Sequence, residues 1–180
     1  DRKNREGIWS NRDELPNNHI HGKKLGLIGF GHISKLVMYK LKGFDLNFLV
    51  NDPYVENQII KDAGAVPVTL NKLLRESDFV SLHCPLTKST KNMINKEKLS
   101  IMKNESILIN TSRGEVINED NLFSAVKMGK LAGVGLDVLS VEPPKKNNKL
   151  IKLDNVIVTS HIAGYSDDFL YNFWRYSVDT

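Results

Sequence analysis

The sequence predicts an α/β fold: a doubly wound parallel sheet with helices on both faces, three layers in all. Three observations predict it. Short apolar runs alternate along the chain with segments whose apolar residues recur at helical spacing. The runs are nearly continuous, as in Ser106-Ile107-Leu108-Ile109 and Asn155-Val156-Ile157-Val158. Such strands are buried on both faces, which requires a parallel sheet between helix layers. A glycine-rich turn also follows the first run and opens the first helical segment.

In chain order, residues 1–22 are polar, with Trp9 and Ile20 as isolated apolar anchors. Asp1 to about Arg12 reads as a helix or an arm, and Leu15-Pro16-Asn17-Asn18 as a loop leading into the first strand. Strands are predicted over 24–29, 46–51, 65–68, 78–82, 106–110, 132–137 and 155–159. Helices are predicted over 32–42, 55–63, 69–76, 96–103, 119–128 and 166–179. The helix at 119–128 is marked at both ends. Asn118 suits its N-cap, Glu119 and Asp120 suit its positive end, and Gly129 can end it. Residues 140–149, with Pro143-Pro144 and Lys145-Lys146, form the longest loop. The organisation is then an arm or hinge over 1–22, a nucleotide-binding domain over 23–165 and a C-terminal hinge helix over 166–180.

Gly29 and Gly31 hold the first two places of G-x-G-x-x-G. The first allows a sharp turn. The second lets backbone approach a pyrophosphate, which then sits on the N–H groups at the helix start. Ser34 stands in the third place, where a glycine normally lets helix and strand pack closely, and so weakens the motif. Asp52 ends the second apolar run, about twenty residues past the turn, where an acid accepts hydrogen bonds from the adenosine ribose and repels a 2′-phosphate. It also stands before Pro53, as a turn former would. Turn and acid together favour NAD.

The 180 residues suffice for one well-buried domain, and the net charge of +4 is spread along the chain as solvated faces rather than a nucleic-acid footprint. The one cysteine, Cys84, excludes an intrachain disulfide and suits a reducing, cytoplasmic compartment. No apolar run approaches membrane-spanning length, the N-terminus lacks a signal-peptide core, and no metal-ligand spacing occurs. The chain begins at Asp1 without a methionine and is expected to be part of something longer.

On the predicted frame the unusual polar residues gather at one edge. Gly29 to Gly31 follow the first strand and Asp52 closes the second. His83-Cys84-Pro85-Leu86-Thr87 follow the fourth, and Asn110-Thr111-Ser112-Arg113-Gly114 the fifth. Asp137 closes the sixth, and Ser160-His161 follow the seventh. In an open parallel sheet the ligand crevice lies outside the carboxyl ends of the strands, so one composite site is expected there. Arg113 is either a surface arginine in a turn or a fork for a substrate carboxylate. His161 is either a structural residue at a strand end or a proton donor to an oxygen whose carbon gains a hydride. Glu142, in the long loop, is a solvated acid unless it meets an imidazole, whose tautomer it would then fix. His83, His32 and His21 lack comparable partners in sequence, and Ser112 lacks a nucleophile elbow.

These motifs together resemble the nucleotide-binding domain of the D-isomer-specific 2-hydroxyacid dehydrogenases over nearly the whole chain. The matching segments are Gly26-Leu27-Ile28-Gly29-Phe30-Gly31-His32-Ile33, Asn51-Asp52-Pro53, and His83-Cys84-Pro85-Leu86-Thr87 with Thr90. The run from Asn110 through Arg113-Gly114 to Glu119, then Gly135-Leu136-Asp137-Val138 leading to Glu142-Pro143, and Ser160-His161-Ile162-Ala163-Gly164 complete the match. The resemblance implies a Rossmann-like domain of a two-domain enzyme. Arg113 would bind the substrate carboxylate and carbonyl, His161 would be the general acid/base, and Glu142 would tune it. NAD would be held by Gly29, Gly31, His32, Ile33, Asp52, His83, Pro85, Thr90, Thr111, Ser112, Asp137 and Gly164. In the family a separate substrate domain is built from both chain ends, and both look absent here. The nucleotide domains usually pair into a homodimer, which Trp9 in the arm would fit.

The leading expectation is an NAD-dependent oxidoreductase acting on a 2-oxo or D-2-hydroxy acid. The competing class is a non-catalytic NAD(H)-sensing co-regulator with the same fold. A sensor has less need of Arg113, Glu142 and His161 together. Another Rossmann enzyme, using NADP or a methyl donor, is a third option, and Asp52 argues against NADP. The sequence does not name the acid: lactate, glycerate, hydroxypyruvate, phosphoglycerate and branched 2-oxo acids stay open.

Overall fold

The structure, a computed structural model, describes residues 5–7, 19–166 and 168–169. Trp9 with most of the expected arm, and residues 170–179 of the expected last helix, lie outside them. The strands are β1 (Lys24–Ile28), β2 (Asn47–Asn51), β3 (Val66–Pro67), β4 (Phe79–Leu82), β5 (Ser106–Asn110), β6 (Leu131–Leu136) and β7 (Val156–Val158). The helices are α1 (His32–Leu41), α2 (Asn57–Asp62), α3 (Leu70–Glu76), α4 (Lys96–Ile101) and α5 (Glu119–Lys127). Every expected strand end falls within one residue of the observed one, and these five helix ends within two. Three short 3-10 turns, Lys42–Phe44, Gly114–Val116 and Leu150–Lys152, were not expected.

The seven strands form one sheet in the order β3-β2-β1-β4-β5-β6-β7, and every pair is parallel. Chain order therefore reverses between β1 and β4, which opens a crevice at their carboxyl ends. Strand alternation divides the core between the two faces. Leu25, Leu27 and Val50 pack with Met38 of α1 and Ile60 of α2. Ile28, Leu49, Val80, Leu82 and Leu108 pack with Leu73 of α3, Leu99 of α4, and Leu122 and Val126 of α5. Each fully buried leucine of this kind contributes about 1.5–3 kcal/mol relative to exposure.

Local chemistry sets the helix ends. Thr69, Asn95 and Asn118 cap α3, α4 and α5, their side-chain oxygens accepting from Lys72, Lys98 and Asn121 N–H. Gly129 follows α5 with φ +72°, the left-handed residue that ends a helix. One expectation fails. The run Asn155-Val156-Ile157-Val158 is not buried on both faces, because Ile157 is 71% exposed. Strand β7 pairs only with β6, and no described helix packs over that face. Among the described residues, no helix is long and apolar enough to cross a membrane.

Candidate active site

At the end of β1 the chain turns at Gly29, with φ +93°. A side chain there would also meet the next element, since a Cβ would lie 2.8 Å from the Cys84 nitrogen and the His83 carbonyl carbon. Gly29 is thus required both by the turn and by the contact between β1 and the chain leaving β4. Gly31 sits at the N-cap of α1, where no side chain caps the helix and no acid lies in the first turn. Nothing lies within 4 Å of where a Gly31 Cβ would be. His32 and Ile33 begin the helix with exposed side chains, and their backbone N–H groups lie in the first turn, where no intrahelical partner exists.

Ser34 does not loosen the helix as its place in the motif suggested. It is fully buried, and its hydroxyl donates to the Gly29 carbonyl, tying α1 to the turn. Asp52 forms the turn expected of it and is held to the glycine turn as well. Its Oδ1 accepts the Tyr54 N–H at 2.9 Å, a local turn, and its Oδ2 accepts the Phe30 N–H at 2.8 Å, inside the glycine turn. The carboxylate is therefore fixed beside the start of α1. An uncapped helix start next to open space, with an acid pinned alongside, fits a dinucleotide: N–H groups for the pyrophosphate and Asp52 for the ribose.

The loop after β4 is held by its own side chains. The Thr90 hydroxyl donates to the Pro85 carbonyl and accepts the Thr87 N–H, each at 2.7 Å, so it shapes the loop rather than reaching out of it. The His83 ring does find a partner that its sequence neighbourhood did not advertise. Its Nε2 lies 3.0 Å from the Ser81 hydroxyl, two residues back on the same side of β4. Burial holds its pKa below the ordinary 6.5. Burial likewise pushes the Cys84 thiol up, which makes it a poor nucleophile.

Arg113 is presented by a turn that a buried amide organises. Asn110, the last residue of β5, is fully buried. Its Oδ1 accepts from the Ser112 N–H and hydroxyl at 3.0 and 2.8 Å, and its Nδ2 donates to the Arg113 carbonyl at 2.9 Å. The Arg113 guanidinium is exposed, bonded to the neighbouring Ser112 carbonyl, and paired with no carboxylate among the described residues. Gly114 then lies against the next loop, where a methyl group would overlap the Leu139 carbonyl. The turn that carries Arg113 and the turn that carries Glu142 thus touch at backbone level.

His161 meets Glu142 as the resemblance implied, with Nδ1 2.8 Å from Glu142 Oε2. The other oxygen, Oε1, accepts the Leu139 N–H at 2.8 Å. The His161 hydrogen bond and then the Leu139 amide, against burial, hold the Glu142 carboxyl below its ordinary range. Asp137 gathers the loop that carries the histidine. Its carbonyl accepts the His161 N–H, Oδ1 accepts from the Thr159 hydroxyl and Ile162 N–H, and Oδ2 accepts the Ala163 N–H. Burial would raise the Asp137 pKa, but these donors outweigh it and keep the group ionised. Asp137, Glu142, Thr159 and His161 line one cavity of about 310 Å³. On the other side of Asp137, Thr111, Ile162 and Ala163 border an apolar hollow of about 290 Å³. Gly164 follows with open space around it.

The family model described as "D-isomer specific 2-hydroxyacid dehydrogenase, NAD binding domain" matches residues 1–163. The chain belongs to this family. It is 42% identical over 171 residues to a glyoxylate reductase of Korarchaeum cryptofilum, covering 93% of this chain and 52% of the relative. It is 42% identical over 161 residues to a hydroxypyruvate reductase of Thermotoga maritima, covering 88% and 51%. Among solved structures, the D-lactate dehydrogenase of Aquifex aeolicus in complex with NAD and lactic acid superposes with a TM-score of 0.89 at 35% identity, over 99% of this chain and 58% of that one. The chain thus spans about half the length of these curated relatives. As a member of the family's NAD-binding domain it takes NAD as cofactor.

The sequence reading placed Asn110 and Glu119 in its motifs without the tasks they take here, and assigned Thr159 no task. Asn110, Thr159 and Glu119 each organise a loop that bears a functional side chain. Asn110 had a usable signal: an amide side chain at the buried end of an apolar strand needs partners, and small polar residues follow it. Thr159 and Glu119 had none, because their partners are 22 and 21 residues away.

Proposed function

We propose that the protein is an NAD-dependent oxidoreductase that moves a hydride between the nicotinamide and C2 of a 2-oxo or D-2-hydroxy acid. The observation that carries this reading is the His161–Glu142 hydrogen bond at the same strand edge as the glycine cradle. With Nδ1–H donated to Glu142, Nε2 faces away with its proton available to a substrate oxygen. NADH supplies the hydride. In reduction the carbonyl carbon gains that hydride, the oxygen takes the proton from His161 Nε2, and the alcohol forms; oxidation reverses both transfers. The exposed Arg113 fork binds the substrate carboxylate and stabilises charge on the oxygen. Asp137, with Thr111 and Ser112, would hold the nicotinamide end.

The relatives' printed activities, on glyoxylate and hydroxypyruvate, support small 2-oxo acids as the substrate class. Residues 23–165 are the nucleotide domain, with 1–22 and 166–180 leading toward a substrate domain. The exposed Leu36, Tyr39 and Phe44 on and just after α1 support pairing of two nucleotide domains as a homodimer. The single buried thiol supports a cytoplasmic location. NADH oxidation by the full-length protein against pyruvate, glyoxylate, hydroxypyruvate, phosphohydroxypyruvate and a branched 2-oxo acid, with NADPH in parallel, tests the reading. Turnover of one acid with NADH supports it. Tight NADH binding without turnover of any acid overturns it in favour of a sensor.

A further inference from the structure

Glu142 and His161 have tasks in this reading, and Glu119 does not. Its surroundings give it one. Glu119 is the first residue of α5, half-buried, and its Oε1 accepts the Ser140 N–H at 2.6 Å. The preceding amide, Leu139 N–H, goes to Glu142 Oε1 at 2.8 Å, and Glu142 Oε2 goes to His161 Nδ1 at 2.8 Å. Two successive amides of one turn are therefore held by two carboxylates. One carboxylate is rooted in a helix of the domain, and the other is the partner of the histidine. Among the described residues, no backbone–backbone hydrogen bond joins residues 139–142 to the rest of the chain. Residues 140–147 are exposed. Beyond the burial of Leu139 in the core and the Glu142–His161 pair itself, the polar link that the described residues show from this turn to the body of the domain is Glu119.

We infer that Glu119 is a positioning residue: it anchors the turn at Ser140 so that Glu142 stays on His161 Nδ1. The competing role is structural. An acid in the first turn of α5 also favours the helix dipole, and Asp120 beside it does the same. The two roles make opposite demands. Holding Ser140 needs reach and an acceptor oxygen, whereas the dipole needs charge.

The effect on turnover rests on the oxidoreductase reading; the effect on the imidazole does not. Glu119→Gln keeps the reach and an acceptor oxygen but loses the charge. Glu119→Asp keeps the charge but is one methylene too short. In the full-length protein Glu119→Asp lowers kcat about tenfold or more, with KM and NADH affinity little changed, because a small misplacement at the reacting centre acts on the chemical step. Glu119→Gln stays within a few-fold of wild type, and Asp120→Asn is silent. In protein labelled with 15N-histidine, wild-type His161 shows the Nδ1–H tautomer when neutral. Glu119→Asp shifts its two nitrogens toward a mixture, and Glu119→Gln restores them. In a Glu142→Ala background, where there is nothing left to position, Glu119→Asp costs no further kcat. The inference is overturned if Glu119→Asp behaves as wild type in both readouts, or if Glu119→Gln is the more impaired of the two. If wild type turns over no acid but the 15N response to Glu119→Asp is as stated, the positioning role stands and the oxidoreductase reading falls.

Discussion

The Asp137 carbonyl takes the His161 N–H at 2.8 Å, and the Asp137 carboxylate takes the next two amides, of Ile162 and Ala163, at 2.9 and 2.8 Å. This cage holds His161 at φ +57°, in the left-handed region. A non-glycine residue there costs about 1–2 kcal/mol and persists only when its surroundings over-determine it. Four hydrogen bonds to one residue, with the Thr159 hydroxyl as the fourth, do so. Asp137→Ala removes the charged acceptor of three part-buried hydrogen bonds, those of the Thr159 hydroxyl and the Ile162 and Ala163 N–H. It is expected to lower stability by about 3 kcal/mol, a fall in Tm of roughly 6–12 °C for a domain of this size. Thermal melts followed by circular dichroism check this. A Tm within experimental error of wild type would show that the loop is held by something else.

The proton donor is tested at His161 itself. Asn tolerates the left-handed backbone, so His161→Asn removes the imidazole without the strain that most residues would meet. Turnover should fall by roughly 10²- to 10⁴-fold, the usual contribution of a general acid, while NADH binding stays nearly intact. Steady-state kinetics beside a fluorescence titration separate the two effects. Surviving turnover would remove His161 from the chemistry. Glu142→Gln should give a smaller loss, since the neutral amide can still accept from Nδ1–H but no longer balances a charged imidazolium.

Much of this arrangement was legible in the sequence, and the part that was not has a physical boundary. The strands were readable because each is a short apolar run between turn residues, so local pattern and tertiary burial agree. That Glu142 meets His161 was what the resemblance implied; the residues alone left Glu142 a solvated loop acid unless it met an imidazole. Ser34 was misjudged because the motif treats its position as a packing slot, whereas the buried hydroxyl uses the free Gly29 carbonyl five residues back. Ile157 was misjudged because period and composition do not reveal which strand ends a sheet. The Glu119 bond to Ser140 and the Thr159 bond to Asp137 were invisible because the partners are long-range and reside in irregular loops. A loop register, unlike a strand, leaves no periodic trace.

Asp52 makes a separate prediction about cofactor choice. Its carboxylate is pinned by the Phe30 and Tyr54 amides beside the start of α1. Asp52→Ala removes both the ribose acceptor and the charge that repels a 2′-phosphate. NADH affinity should drop roughly tenfold or more, and the preference for NADH over NADPH should narrow. Parallel fluorescence titrations with the two nucleotides measure it. An unchanged ratio would sink the ribose role and leave Asp52 as a turn former.

Gly114 makes a packing prediction. A methyl group there would overlap backbone, not the end of a flexible side chain, so one of the two turns must move. Those turns carry Arg113 and Glu142. Gly114→Ala is expected to cost about 1–3 kcal/mol of stability and to lower turnover in the part that remains folded. Urea unfolding with kinetics at fixed folded fraction distinguishes the two losses. If turnover per folded molecule is unchanged, the contact between the turns serves stability alone.

The last prediction concerns acid. At the candidate site three groups have pKa values below their ordinary ones: His83, through burial, below 6.5; Glu142, chiefly through His161, below 4.5; and Asp137, whose hydrogen bonds outweigh burial, below 3.8. A lowered value in the folded state means that the unfolded chain binds the proton more readily, so stability rises with pH across the interval between the two values. The contribution of His83 is complete above 6.5 and is lost as pH falls from there through its folded value. Glu142 and Asp137 begin to act only below 4.5 and 3.8. His83 is therefore the one of the three that acts in mild acid. His83→Gln keeps a polar group for the Ser81 hydroxyl but cannot titrate. Urea midpoints measured from about pH 7.5 down to about pH 3.5 should fall in two stages for wild type and lose the first stage in the variant. If the first stage persists in His83→Gln, its source is another histidine, and the buried ring beside Ser81 carries no proton-linked stability.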